Sequence, residues 1–177
     1  ERVTPIFRCA HFNADKPALY RVNYCSRLVS KVLAPLLSFP CHSTEQLYAK
    51  AQTIDWTRLF RVDQTFAVFS NVSNSTITHS KYAALCLKDA IVDQFRDKHG
   101  KRPDVNADEP DVWFHLFVHR NRATISLETS GGALHRRGYR KATREAPLNE
   151  IVAAAIIRMT EWDGDRPLYD PMCGSGT

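Results

Sequence analysis

Little in this sequence is built for a membrane, a disulfide scaffold or a metal. No apolar run in the 177 residues approaches the ~20 that a membrane-spanning helix needs. The N-terminal stretch ERVTPIFRCAHFNADK lacks the apolar h-region of a secretory signal. The five cysteines form no C-x-x-C pair, which argues against both a disulfide framework and a zinc site and for a reducing, cytoplasmic setting. Neither H-E-x-x-H nor a G-x-S-x-G elbow occurs, and no lysine follows the glycines as a phosphate-binding P-loop requires. Cys9 and His11 are spaced like two ligands without a second pair, and Asp104, Asp108, Glu109 and Asp111 fall in a proline-bounded loop that reads as solvated. No metal is expected. Apolar content of 44% and charged content of 24% place the chain among ordinary globular proteins.

The charge is not spread evenly. Residues 134–144 read LHRRGYRKATR, and without Arg136, Arg137, Arg140, Lys141 and Arg144 the remaining basic and acidic residues balance. The whole formal excess of +5 sits in this segment, with Tyr139 beside Gly138 inside it. A solvated surface run is one reading. Phosphate contacts with an aromatic for base stacking is the other.

The periodicity alternates between helix and strand, which implies a mixed α/β (α+β) fold. Asp15 and Pro17 open a helix whose apolar positions Val22, Cys25, Val29 and Val32 run on to a stop at Pro35. Leu36, Leu37 and Phe39 suggest a short strand, and Ser43 with Gln46 a capping box for a short helix. Trp56 heads a helical turn and plugs the core, while Phe66–Phe69 reads as a strand covered on both faces. The clearest helix starts at Ser80, buries Ala84, Leu87, Ile91 and Phe95, and ends at Gly100. Residues 112–118 and 123–127 alternate about Arg120-Asn121 as a hairpin, with Phe114, Leu116 and Val118 on one face and Trp113, His115 and Phe117 on the other. His115 reads as packed or exposed rather than catalytic. Pro147 begins a last helix with Leu148, Ile151, Val152, Ala155 and Met159 on its buried side.

At the end of the chain, Leu168-Tyr169 has the character of a strand end. Asp170-Pro171-Met172-Cys173-Gly174-Ser175-Gly176-Thr177 then reads as a glycine turn that opens a helix, the arrangement by which a backbone approaches a nucleotide cofactor. A Gly-x-Gly alone is a weak signal, and a plain terminal turn is the alternative. As a whole string, DPMCGSGT resembles the first motif of class I S-adenosylmethionine-dependent methyltransferases, in the form carried by THUMP-containing rRNA and tRNA guanine-N2 methyltransferases. LHRRGYR resembles the segment joining THUMP to the catalytic domain in that family. KDAIVDQF (88–95) is similar to the long THUMP helix, and YCSRLVSKV (24–32) to the family's opening helix. The chain is most similar to the bacterial 23S rRNA guanine-N2 branch. It departs from the family in having Ala133 where a glycine is expected and no Asn/Asp-Pro-Pro-Tyr/Phe motif.

The resemblance implies the tail of a ferredoxin-like subdomain at 1–16, a THUMP domain at 17–130, a basic linker at 131–145, and at 146–177 a helix and the start of a Rossmann-like methyltransferase domain cut at its first motif. It implies an RNA-binding, non-catalytic portion of an RNA methyltransferase. Structured RNA, rRNA rather than tRNA, is the expected partner, together with the protein's own catalytic domain. Arg136, Arg137, Arg140, Lys141 and Arg144 are expected on phosphates and Tyr139 on a base, with Lys81, Lys88, Arg120 and Arg122 extending the track. Lys81 and Lys88 also suit an ordinary wet helix face. Asp170, Pro171, Cys173, Gly174, Ser175, Gly176 and Thr177 are expected at S-adenosylmethionine in the intact protein, with none bound to this portion. A tRNA enzyme, a DNA adenine methylase and a non-catalytic docking module are the alternatives.

Overall fold

A computed structural model describes residues 3–6, 9–138, 148–174 and 176. In chain order its elements are β1 (Thr4–Ile6), β2 (Cys9–His11), α1 (Lys16–Cys25), β3 (Leu33–Pro40), α2 (Thr44–Ala51), β4 (Phe66–Ser73), α3 (Ser80–His99), β5 (Val112–His119), β6 (Arg122–Glu128) and α4 (Glu150–Met159), with a 3-10 turn at Trp56–Arg58. They form two compact units, residues 33–132 and residues 1–32 with 133–177.

The 33–132 unit is a four-stranded sheet in the order β3-β6-β5-β4. β4 and β5 run parallel and are joined through α3; the β5–β6 and β6–β3 pairs are antiparallel. The hairpin forms as its residues dictate. Arg120 and Asn121 both take positive φ, +49° and +57°, the two-residue turn whose twist matches the strands it joins. Asn121 also anchors the tip: its Oδ1 accepts from Thr76 N at 2.8 Å and Ser75 Oγ at 2.9 Å. The sheet's inner face gives Phe66, Phe114, Leu116, Val118 and Ile125 to a core shared with Leu47, Ala83, Leu87, Ile91 and Phe95 of the helices. Trp56 is fully buried in it, its Nε1 donating to Ala51 O at 2.9 Å. α2 is capped by Ser43, with Gln46 reaching back to accept from His42 N at 2.9 Å. α3 ends at Gly100 in the left-handed conformation, φ +65°, as expected.

Several expectations need correction. The first helix does not continue to Pro35; it stops at Cys25, and residues 26–32 are irregular. Pro35 lies in β3, an edge strand with an irregularity between Pro35 and Leu37, where a residue without an N–H is tolerated. Phe69 is 52% exposed, so β4 is covered on one face only beyond Ala67. On α3 Ala83 is fully buried, whereas Ala84 is only half-buried. In α4 the buried residue is Ala153, whereas Val152 and Met159 are exposed. A helix apolar on nearly every side leaves its inward face to be chosen by what it packs against. Leu168 and Tyr169 are in no strand; among the described residues nothing pairs with them.

The acidic loop is bound into the fold. Asp111 Oδ2 accepts from Thr65 N at 2.7 Å and from its hydroxyl at 2.9 Å, and these donors hold its carboxyl below the usual range. Such a shift stabilises the fold above the ordinary carboxylate pKa, and the contribution disappears as pH falls through the lowered value.

The cysteines separate by environment. Burial pushes the Cys86 thiol up to about 11, helped by nearby Asp89, and burial also raises Cys41. Cys86 Sγ donates to Thr44 O and Cys41 Sγ to Ser43 O. At pH 8, where thiolate is the reactive form, exposed Cys9, Cys25 and Cys173 are expected to react quickly with a disulfide reagent. Cys41 and Cys86 should react only on unfolding. Five fast thiols in the native protein would refute this placement.

Candidate nucleic-acid interface and glycine turn

In the 33–132 unit, topology brings several predicted cations to one end. Because β4 and β5 are parallel, the β5–β6 tip and the start of α3 lie at the same edge of the sheet. This places Arg120 and Arg122 at the tip and Lys81 in the first turn of α3, all exposed. Arg122 Nε donates to Ser38 Oγ at 3.2 Å, which in turn meets Thr124 Oγ1 at 3.1 Å. The guanidinium's terminal nitrogens reach no protein acceptor among the described residues.

Lys88, about two turns along α3, pairs with Asp89 at 2.7 Å. It borders a surface cavity lined also by Arg96, Arg102 and Asp104. Arg96 and Arg102 were not singled out from the sequence; the i, i+8 spacing from Lys88 to Arg96 was the available signal.

The basic segment belongs to the other unit. Arg136 is exposed. Arg137 is committed inside its own unit: Nε donates to Leu134 O at 2.8 Å, Nη1 to Tyr24 O at 2.7 Å, and Nη2 to Ser26 O at 2.7 Å and Asn23 O at 3.1 Å. Its cation thus closes the C-terminus of α1, where orphan carbonyls and the helix dipole favour positive charge. That also explains why α1 stops at Cys25. Tyr139, Arg140, Lys141 and Arg144 lie outside the described residues, as do Ser175 and Thr177.

Glu128 is a second feature the sequence reading missed. Its side chain is fully buried and its carboxylate accepts from Ser130 Oγ and Gly132 N, each at 2.9 Å, while sharing a 2.5 Å hydrogen bond with His115 Nε2. His115 is therefore packed, and the Ser130-Gly131-Gly132 turn is held by the sheet.

In the glycine turn, Asp170 Oδ1 accepts from Met172 N at 2.9 Å and Gly176 N donates to Cys173 O at 2.8 Å. Gly174 and Gly176 have φ of +55° and +73°, which side-chain-bearing residues rarely adopt. Asp170, Pro171, Cys173, Gly174 and Gly176 are all exposed, and only Met172 O comes within 4 Å of a Cβ placed on Gly174. The described residues supply an open backbone edge and no wall, so they do not by themselves fit a bound cofactor. Among the described residues no group of three His, Cys, Asp or Glu side chains is placed to hold a metal, and no helix is long and apolar enough to cross a membrane.

The comparisons with known proteins agree with this layout. Residues 41–128 match the THUMP domain and residues 137–177 the RMKL-like methyltransferase domain. A Synechocystis protein provisionally named an RNA methyltransferase is 41% identical over the whole chain. The chain spans 46% of that relative's length. A crystal structure of a predicted N6-adenine-specific DNA methylase from Listeria monocytogenes superposes with a TM-score of 0.79 at 30% identity, covering 92% of this chain and 43% of the other. A second methyltransferase, crystallised with SAH, superposes at 0.69 and 27% identity over 83% of this chain and 39% of its own. The chain is thus a mixed α/β protein whose residues 41–128 are similar to the THUMP domain and whose residues 137–177 are similar to the RMKL-like methyltransferase domain.

Proposed function

We propose that this chain is the RNA-capturing portion of an S-adenosylmethionine-dependent RNA methyltransferase, with the N2 amino group of a 23S rRNA guanine as the target. The observation that carries the reading is the succession in one chain of a THUMP match and a methyltransferase-domain match that contains the DPMCGSGT turn. The RNA-methyltransferase name of the Synechocystis relative and the SAH in one structural neighbour support the chemistry; the resemblance of LHRRGYR and DPMCGSGT to the guanine-N2 branch supports the base. The boundaries that fit are a THUMP region within 17–130, a basic connection at 131–145 and the methyltransferase start from 146.

Arg136, Arg140, Lys141 and Arg144 contact phosphates on this reading and Tyr139 stacks on a base, with Lys81, Arg120 and Arg122 adding cations from the THUMP end. Arg137 serves them indirectly by fixing the segment to α1. The glycine backbone at 174 and 176 approaches the cofactor only when further structure encloses it. When bound, the cofactor supplies the transferable methyl group. The target base must leave its stack to meet it.

Two measurements test the proposal. The intact protein is expected to transfer labelled methyl from S-adenosylmethionine to 23S rRNA, with the label recovered as N2-methylguanosine. Label in tRNA instead would favour the tRNA reading, and N6-methyladenine in DNA would overturn the RNA one. In calorimetry this 177-residue chain is expected to show no S-adenosylmethionine affinity; micromolar binding would contradict the assignment of an incomplete site.

A further inference from the structure

The first helix carries a charge pattern that the cationic track does not use. Residues 16–44 include Lys16, Arg21, Arg27 and Lys31 and not one Asp or Glu. Asp15, just outside, has its carboxylate on the helix cap, where Oδ1 accepts from Ala18 N at 2.8 Å. α1 buries no residue completely; Ala18, Leu19, Val22 and Asn23 form its half-buried side. On the other side Tyr24 is 78% and Tyr20 68% exposed, together with Lys16 and Arg21. Among the described residues none of these four exposed side chains has a hydrogen-bond, ionic or ring partner.

This face leads into a groove. The residues that follow α1 and those of α4 belong to the same unit and line a cavity of about 530 Å³, within the size of small-ligand sites. Leu28, Ala154 and Ile157 make it partly apolar, and Arg27, Arg158 and Trp162 add two cations and an indole. Arg158 meets no partner among the described residues. Arg27 donates through Nη1 to Tyr24 O at 3.1 Å and Ser26 O at 3.5 Å, which leaves Nε and Nη2 available. Trp162 Nε1 donates to Arg166 O at 2.6 Å, so what the indole still offers is its π face. Asp163, the only acid among the lining residues, accepts from Asp165 N at 3.1 Å. Round the helix, at about 100° per residue, Arg21 falls between Tyr24 and Cys25, and Cys25 lines the groove, so face and groove are continuous.

The surroundings select the occupant. A protein partner presents charges of both signs, whereas a nucleic-acid backbone is uniformly negative and matches cations set without acids between them. Projecting rings serve only bases whose faces are free, which excludes the paired interior of a duplex. We infer that the outer face of α1 and this groove form a track for single-stranded RNA, with Tyr24 and Trp162 stacking on unpaired bases and Arg21, Arg27 and Arg158 on the phosphates.

This inference rests on the RNA-binding reading above, and the test separates the two. The intact 177-residue chain is titrated by fluorescence anisotropy, across a salt series, against a labelled oligouridine and a blunt RNA duplex of the same length. Tyr24→Ala is expected to weaken oligouridine binding about 5- to 100-fold, with the slope of log K against log salt unchanged and duplex binding hardly moved. Tyr24→Phe, which keeps the ring, should bind like wild type. Arg158→Gln should flatten the oligouridine slope by about 0.7, the share of one phosphate contact on a single strand. Both positions are exposed on helices, so equal thermal midpoints are expected for all variants. The track is overturned, with the RNA reading intact, if wild type binds the duplex but not oligouridine. It is equally overturned if Tyr24→Ala matches wild type on oligouridine, loses both RNAs alike, or if Arg158→Gln keeps the full slope. Wild type binding neither RNA would defeat both.

Discussion

Trp56→Ala is expected to destabilise the 33–132 unit by about 3–5 kcal/mol, the range for emptying a large buried aromatic site. Trp56 has no exposed surface and meets Phe114 edge-on at a centroid distance of 5.1 Å. Its indole N–H satisfies Ala51 O, and its backbone N–H donates to Gln94 Oε1 at 2.8 Å. Gln94 in turn donates to Gln52 O and Ile54 O, so one residue closes the end of α2 against α3. Alanine removes the ring and one of the two donors to Ala51 O, which also accepts from Ile54 N at 3.2 Å, and both losses have the same sign. In urea the midpoint should fall with the slope unchanged. Trp56→Phe, which refills most of the volume but not the N–H, should recover more than half of the loss. A cost below about 1 kcal/mol would mean that the site collapses freely and that Trp56 does not organise the unit.

The largest functional effect is expected from the basic segment. Arg136→Gln, Arg140→Gln and Lys141→Gln combined should weaken binding of structured RNA tens- to hundreds-fold at low salt. Losing three phosphate contacts should also flatten the slope of log K against log salt by about 2–3. Arg137 is left in place because its guanidinium holds the end of α1. Its own replacement by methionine should lower thermal stability and loosen the amides around Ser26 without the characteristic change in salt slope. An unchanged slope in the triple variant would assign the segment to docking between domains.

What the sequence revealed, and what it hid, follows from where each determinant lies. α3 was legible because its apolar repeat and its terminating Gly100 are both local, and the β5–β6 hairpin because Arg120 and Asn121 sit between two alternating runs. The end of α1 was not, since the group that terminates it, Arg137, is supplied from more than 110 residues away. The exposed side of Phe69 depends on strand order: Phe66–Phe69 is one apolar run, and only the position of β4 at the sheet edge and the helices' choice of face decide which rings stay wet. The inward side of α4 was equally hidden, for Glu150–Met159 is apolar on most sides. In the candidate interface the sequence marked the cations but not their roles. Arg136 and Arg137 are adjacent and identical in type, yet one is exposed and the other is engaged with four carbonyls. Glu128 carried no local signal, because its meaning comes from pairing with His115 on the neighbouring strand.

The most direct measurement is filter binding of the wild-type chain to a transcribed 23S rRNA fragment and to duplex DNA of equal length, each across a salt series. An RNA-capturing THUMP chain should bind the rRNA fragment tightly, with a steep negative salt dependence, and clearly prefer it to the DNA at every salt concentration. Equal affinity for both polymers, or no binding to RNA at low salt, would contradict the account.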